Sequence, residues 1–175
     1  MRKLVKFLFL LYIFFNVSFA LSQKYIDNYI CYLYTKRDFI NLDYFIKKKI
    51  KVEDLFKYKL SNCSKRALGL YFYLQGCYDI ALKFFLQIRY YTLADLINLS
   101  ATYIKKGKYN SAVKLLKLAK IKYGDEKHIL MNLAISYIKL GKYEKAREYL
   151  LKLLDMDISK DLKNRVLRIL NYIGY

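Results

Sequence analysis

Residues 133–153, LAISYIKLGKYEKAREYLLKL, carry a pattern that occurs three times in this chain of 175 residues. Residues 68–88, LGLYFYLQGCYDIALKFFLQI, and residues 99–119, LSATYIKKGKYNSAVKLLKLA, align with this stretch without a gap. In each segment a leucine and a small residue are followed, at fixed spacing, by an aromatic residue, a glycine, a tyrosine, an alanine and a large apolar residue. Seven positions that recur in register indicate an internal repeat of about 34 residues, which is typical of helical solenoids.

The small residues of the pattern indicate two closely packed helices in each repeat. Glycine recurs where the first helix would end in a left-handed residue, a conformation that glycine adopts without strain. These glycines are Gly76, Gly107 and Gly141. Small side chains that let the helices approach are Gly69, Ser100 and Ala134 on the first helices, and Ala81, Ala112 and Ala146 on the second. The chain contains no proline, which favours an all-α fold.

The repeated positions resemble the tetratricopeptide repeat (TPR) family, whose unit is a helix–turn–helix. The resemblance covers about residues 62–160 and implies a helical-repeat solenoid. The early tryptophan and the closing proline of the family pattern are missing. Residues 161–173 form a one-sided apolar pattern, as a helix that caps the end of a solenoid requires. The predicted organisation is an N-terminal helical segment (21–61), three units (62–92, 93–126 and 127–160) and a capping helix (161–175), with residues 23–54 interpretable as a degenerate repeat.

The first twenty residues have the pattern of a signal peptide. Basic residues precede the unbroken apolar run of residues 7–15, and small residues stand at Ser18 and Ala20. This pattern predicts cleavage after Ala20 and export to the periplasm or the cell exterior. An uncleaved membrane anchor is the alternative, although the apolar stretch to Leu21 is shorter than the roughly 20 residues of a spanning helix.

In the TPR family the first helices line a concave groove that holds partners. Transferred by position within each unit, this groove would comprise Leu70, Tyr73, Ile97, Asn98, Ala101, Ile104, Met131, Asn132, Ile135 and Ile138. Most of these side chains are apolar, which implies a site for a helix or an extended peptide of another protein. The alternative is that they pack in the core. Only Arg66 and Asn98 approach the carboxylate clamp of one TPR subset, so that clamp is not expected.

The chain is strongly basic. It has 33 Lys and Arg against 14 Asp and Glu, a formal net charge of +19. Lysines concentrate on the second helices, which face outward in the TPR family. This basic surface comprises Lys114, Lys117, Lys120, Lys122, Lys145 and Arg147. It could attract an anionic membrane surface or another polyanion, or it could simply be solvated. Export argues against a nucleic-acid partner.

No constellation of residues indicates catalysis, a metal site or a cofactor. His128 is the single histidine, and the three cysteines contain no CxxC pair. In the repeat, Cys63 and Cys77 would open two antiparallel helices at opposite ends, roughly 18 Å apart, which is too far for a disulfide.

The sequence therefore predicts an exported, non-catalytic adaptor or scaffold that binds a partner segment in its groove. One alternative is a basic protein that acts at a membrane surface or on a polyanion. Another is a cytosolic chaperone with three TPR units, which would require that the N-terminus is not a signal peptide.

Overall fold

The computed structural model describes residues 22–174, and every regular element in this range is an α-helix. The helices are α1 (22–35), α2 (Phe39–Lys49), α3 (Val52–Leu55), α4 (Asn62–Leu74), α5 (Tyr78–Leu86), α6 (Leu93–Lys105), α7 (Tyr109–Tyr123), α8 (Lys127–Lys139), α9 (Tyr143–Leu154) and α10 (Lys160–Tyr172). The predicted all-α helical-repeat fold is confirmed. The predicted signal peptide lies outside the described residues. Among the helices from α1 to α10, none has the length and apolar character needed to cross a membrane.

The described residues divide into two compact units, with the boundary between Tyr71 and Phe72, inside α4. In the first unit a disulfide joins Cys31 of α1 to Cys63 of α4, with 5.4 Å between the Cα atoms. The Ser64 hydroxyl also donates a hydrogen bond to the carbonyl of Asp27, at 2.8 Å. A covalent bond and a buried polar contact therefore hold α1 against the start of α4.

The turns within the repeats are left-handed, as the glycine pattern predicts. Gly76, Gly107 and Gly141 have φ angles of 76°, 71° and 69°. After each glycine, the next backbone N–H donates to the carbonyl of the recurring aromatic residue, at 2.8 to 2.9 Å. This bond is the signature of a Schellman turn and satisfies a carbonyl at the helix end.

The turn between α1 and α2 has the same hydrogen bond without a glycine. Arg37 takes the left-handed position with φ 56°, and the Asp38 N–H donates to the Leu33 carbonyl at 2.9 Å. Residues 22–49 thus form a helical hairpin closed like those of the repeats. The assignment of residues 23–54 as a degenerate fourth unit, like the other predicted boundaries, stays an interpretation.

In the second unit each helix packs against the next, and α6 also packs against α8. First helices of successive repeats therefore adjoin, as they do in TPR solenoids. Ala81, Ala112 and Ala146 are fully buried, in keeping with their predicted place between helices. The helix α10 buries Val166 and Leu170 in the same apolar cluster as Leu150 of α9, so it covers the end of the array.

Polar side chains set the start of several helices. Thr92 and Asp95 form a reciprocal capping box at the start of α6. The Glu126 carboxylate accepts hydrogen bonds from the N–H groups of His128 and Ile129 at the start of α8. Ser159 caps α10 in the same way. These caps fix where α6, α8 and α10 begin, and these helices carry most of the residues of the pocket described below.

Candidate functional site

A pocket of about 510 Å³ opens on the face formed by the first helices of the repeats in the second unit. Four helices contribute to it. Its lining residues are Tyr73 of α4, Ala101, Ile104 and Lys105 of α6, Asn132, Ile135 and Lys139 of α8, and Arg165 of α10. The volume falls within the range of about 300–1,000 Å³ that is typical of ligand sites.

Five of the ten predicted groove residues line this pocket, namely Tyr73, Ala101, Ile104, Asn132 and Ile135. All five are half-buried, so solvent reaches them in the free protein. Ile104 packs on one side against the apolar cluster that includes Leu133, and Ile135 against the cluster that includes Leu130. Their inner atoms therefore support the fold while their outer atoms form an apolar floor.

The other five predicted groove residues lie outside the pocket. Ile97, Asn98 and Ile138 are half-buried, and the two isoleucines pack against the core. Leu70 is half-buried in the first unit. Met131 is only 6% exposed and belongs to the core cluster that contains Val166 and Leu170. For Met131 the alternative of packing in the core therefore describes the structure, because the cluster that includes residues of α10 covers this side chain.

Asn132 is held in place across two neighbouring first helices. Its side-chain nitrogen donates to the hydroxyl of the buried Ser100 at 3.2 Å, and that hydroxyl donates to the Ile97 carbonyl at 2.7 Å. The side-chain oxygen of Asn132 accepts no hydrogen bond within residues 22–174. Asn132 therefore offers the pocket a fixed acceptor for a partner's N–H group.

Basic residues surround the apolar floor. Lys105, Lys139 and Arg165 are exposed, and none of them forms an ion pair with another described residue. The adjacent Lys106 differs, because its ammonium group contacts Asp79 at 2.8 Å, and this hydrogen bond lowers the pKa of Asp79. No acidic residue is among the lining residues. The pocket thus combines an apolar floor with a basic rim, formed by Lys105, Lys139 and Arg165.

Position within the repeat places Lys105 and Lys139 on the groove face, but it does not place Arg165 there. Arg165 lies on α10, outside the three units, and it neighbours the fully buried Val166. The groove face continues onto the capping helix, and this continuity could have indicated that Arg165 contributes to the site.

The predicted basic surface is only partly a set of free charges. Lys114, Lys117, Lys122 and Lys145 are exposed. Lys120 is half-buried and forms an ion pair with Asp125. Arg147 is also half-buried, and its guanidinium donates to the Gly174 carbonyl at 3.4 Å.

Two apolar side chains that the sequence reasoning did not single out lie among the lysines of α7. Leu118 is 65% exposed and Ile121 is 83% exposed. They stand three residues apart, so they share one face of the helix with Lys114 and Lys117. This face is amphiphilic rather than purely basic.

The cysteines and acidic residues form no catalytic or metal centre in the part of the chain that is described. No group of three or more His, Cys, Asp or Glu side chains lies close enough there to hold a metal ion. Cys63 pairs with Cys31 and not with Cys77, which remains an exposed thiol at the start of α5. That Cys63 does not bond to Cys77 agrees with the expectation from the repeat, whereas the partner of Cys63 was not foreseen.

Comparison with known proteins supports the assignment of the repeat and of the fold. Residues 128–159, which contain α9 and all of α8 except its first residue, match the sequence profile of the tetratricopeptide repeat. No curated protein sequence matches the chain significantly.

Two proteins with solved structures of similar fold are SycD and PcrH. The chain is similar to the type III secretion translocator chaperone SycD of Yersinia enterocolitica, with a TM-score of 0.59 and 21% identity over 64% of this chain and 90% of that chain. It is also similar to PcrH in complex with the chaperone-binding region of PopB, with a TM-score of 0.55 and 20% identity over 62% of this chain and 95% of PcrH. PcrH in complex with the corresponding region of PopD gives a TM-score of 0.56 and 18% identity over 71% and 94%.

Proposed function

We propose that this chain is an exported, non-catalytic adaptor or scaffold that holds a segment of a partner protein in the pocket between α4, α6, α8 and α10. The observation that carries this proposal is the half-buried apolar floor formed by Ile104 and Ile135 on adjoining first helices. An apolar floor with a fixed acceptor at Asn132 suits a helix or an extended peptide, which offers apolar side chains together with polar groups. The fold supports the same role, since PcrH of similar fold has been solved with segments of PopB and PopD.

Export is part of the proposal and rests on two features of the chain. The first twenty residues read as a signal peptide. The disulfide between Cys31 and Cys63 is of the kind that persists in oxidising compartments and is rare in the cytosol. We therefore expect the extracytoplasmic fraction to contain a chain that begins at Leu21. Recovery of intact Met1 from a soluble cytoplasmic pool, by N-terminal sequencing, would contradict export.

The groove is tested by Ile104→Glu and Ile135→Glu. We expect each variant to lose capture of the partner, identified by pull-down from the host and mass spectrometry, because a carboxylate on the floor opposes apolar docking. The far-UV circular dichroism and the melting temperature should change little, since both side chains reach solvent and the new carboxylate stays hydrated.

The matched control is Ile121→Glu, the same substitution on an exposed face of α7 away from the pocket. It should retain capture. Capture by wild-type chain should also survive high salt, because apolar contacts are not screened. If the variants of Ile104 and Ile135 fold and still capture the partner, the pocket is not the binding site. Variants that unfold would show that these isoleucines are core residues instead.

A second candidate function is binding to an anionic membrane surface through α7. The observation that favours it is the pair of exposed apolar side chains, Leu118 and Ile121, among exposed lysines. Such a face can place apolar groups at the head-group level while each lysine contributes about 1 kcal/mol near an anionic surface.

This second candidate predicts that the chain floats with vesicles that contain anionic phosphatidylglycerol and not with vesicles of phosphatidylcholine alone. The double variant Leu118→Ser, Ile121→Ser should float less, and high salt should release the wild-type chain. The Ile104→Glu variant serves as the control, because it should float as well as wild type. Flotation that is unaffected by the double variant, or unaffected by high salt, would reject this function.

A further inference from the structure

The basic rim constrains the chemistry of whatever occupies the pocket. Its cations come from three different helices, with Lys105 on α6, Lys139 on α8 and Arg165 on α10. None of the three is neutralised by a described acidic residue, although the neighbouring Lys106 finds such a partner in Asp79. Like charges gathered around one cavity repel each other, and a bound anion would relieve that repulsion.

Building on the proposed function, we infer that the segment held in the pocket carries acidic side chains next to apolar ones. Its apolar side chains would lie on Ile104 and Ile135, and its carboxylates would lie among the three rim cations. The spacing of residues along α6 and α8 places the apolar contacts next to the rim cations. Ala101 stands four residues before Lys105, and Ile135 stands four residues before Lys139, so on both helices an apolar lining residue and a cation share one face.

The local distribution of charge favours this occupant over a purely apolar segment. The nearest acidic residue along α10 is Asp161, one turn before Arg165, and it lines a separate pocket with Asn164, Leu167 and Arg168. Asp161 forms no ion pair with a described residue and does not line the pocket with Ile104. An arginine can also hold a carboxylate through two parallel N–H donors, which gives Arg165 geometric selectivity for an acidic side chain.

The apolar floor favours a protein segment over a small inorganic anion. A site for phosphate or sulfate alone would leave Ile104, Ile135 and Ala101 uncovered, whereas a peptide covers them and brings its carboxylates to the rim. The fixed acceptor at Asn132 adds a place for a backbone or side-chain N–H group of the peptide. Apolar floor, acceptor and cations together match an amphiphilic acidic segment.

The experiment is selection of a displayed library of random twelve-residue peptides on three forms of the purified full chain. The first is wild type. The second is the rim variant Lys105→Gln, Lys139→Gln, Arg165→Gln. The third is a control with the same loss of charge on the outer surface, Lys114→Gln, Lys117→Gln, Lys145→Gln, in which all three lysines are exposed and outside the pocket.

We expect wild type and the control to select peptides with Asp or Glu beside Leu, Ile, Val or Phe. The rim variant should select apolar peptides without the acidic enrichment. For the best wild-type peptide, exchange of its acidic residues for Asn and Gln should weaken binding about tenfold at low salt. That figure corresponds to three exposed ion pairs, each worth roughly a factor of 1.4 to 5. The neutral peptide should bind wild type and the rim variant equally.

The outcomes separate this inference from the proposed function. Apolar peptides that lack acidic residues but are lost on Ile104→Glu would overturn the acidic occupant and leave the groove intact. Acidic enrichment that is lost equally in the outer-surface control would show general charge attraction and overturn the inference. Loss of binding when the peptide C-terminus is amidated would assign the cations to a terminal carboxylate instead. Failure to select any peptide, or selection insensitive to Ile104→Glu, would count against both proposals.

Discussion

Ala146→Leu is expected to lower the free energy of unfolding by about 1–3 kcal/mol. Ala146 of α9 is fully buried and belongs to the same core cluster as Leu116 of α7 and Leu133 and Tyr137 of α8. Three more carbon atoms at this point have no free space, so α9 must shift away from its neighbours or nearby side chains must leave their preferred rotamers. A denaturant titration followed by circular dichroism measures the loss.

Lys117→Leu is the matched control for this prediction. It introduces the same side chain at an exposed position of α7, where the free energy of unfolding should change by less than about 0.5 kcal/mol. The comparison isolates the effect of volume in the interface between helices from the helix propensity of leucine. An Ala146→Leu protein as stable as wild type would mean that the repeat register assigned to α8 and α9 is wrong.

The features that the sequence predicted well are those set by local sterics. The left-handed turns at Gly107 and Gly141 follow from the absence of a Cβ atom, and the burial of Ala112 and Ala146 follows from the need for two helices to approach. Neither requirement depends on distant parts of the chain. A periodic pattern therefore suffices to place them.

Only half of the predicted groove residues line the observed pocket. The packing of α10 accounts for two of the differences between the predicted groove and the pocket. Met131 is buried and Arg165 reaches the pocket, and both outcomes depend on how α10 packs against the end of the array. The apolar stripe of α10 indicates that it packs there, but its crossing angle depends on side-chain interdigitation that no periodicity encodes. The groove residues were predicted from equivalent positions in the repeat units. Arg165 lies outside these units, so no equivalent position could predict it.

The first unit was the least predictable part of the described chain. The turn at Arg37 has no glycine, so the local signal that marks the other turns is missing although the backbone is the same. Without that signal the sequence does not show that α1 runs beside α4. The pairing of Cys31 with Cys63 depends on this neighbourhood, which is why the sequence only excluded the partner Cys77.

Loss of the disulfide between Cys31 and Cys63 is expected to have the largest effect on stability. The two cysteines are 32 residues apart in sequence, and closing a loop of that length in the unfolded chain corresponds to about 3–4 kcal/mol in the chain-entropy account. Polar contacts also join α1 to the start of α4, among them the hydrogen bond from the Ser64 hydroxyl to the Asp27 carbonyl. The Asp27 carboxylate accepts hydrogen bonds from the backbone and hydroxyl groups of Ser61, but the contact is exposed, so water competes for it.

The test compares the double variant Cys31→Ser, Cys63→Ser with Cys77→Ser, which removes an exposed thiol and should leave stability unchanged. Because the bond lies within the first unit, hydrogen exchange in the double variant should accelerate mainly in α1 and α2, while α8 and α9 keep their protection. A reducing agent should reproduce this effect in wild type and add nothing in the double variant. Equal stability of wild type with and without the reductant would mean that the native chain does not contain the bond. It would also remove the disulfide as support for export, since reduced cysteines are equally compatible with the cytosol.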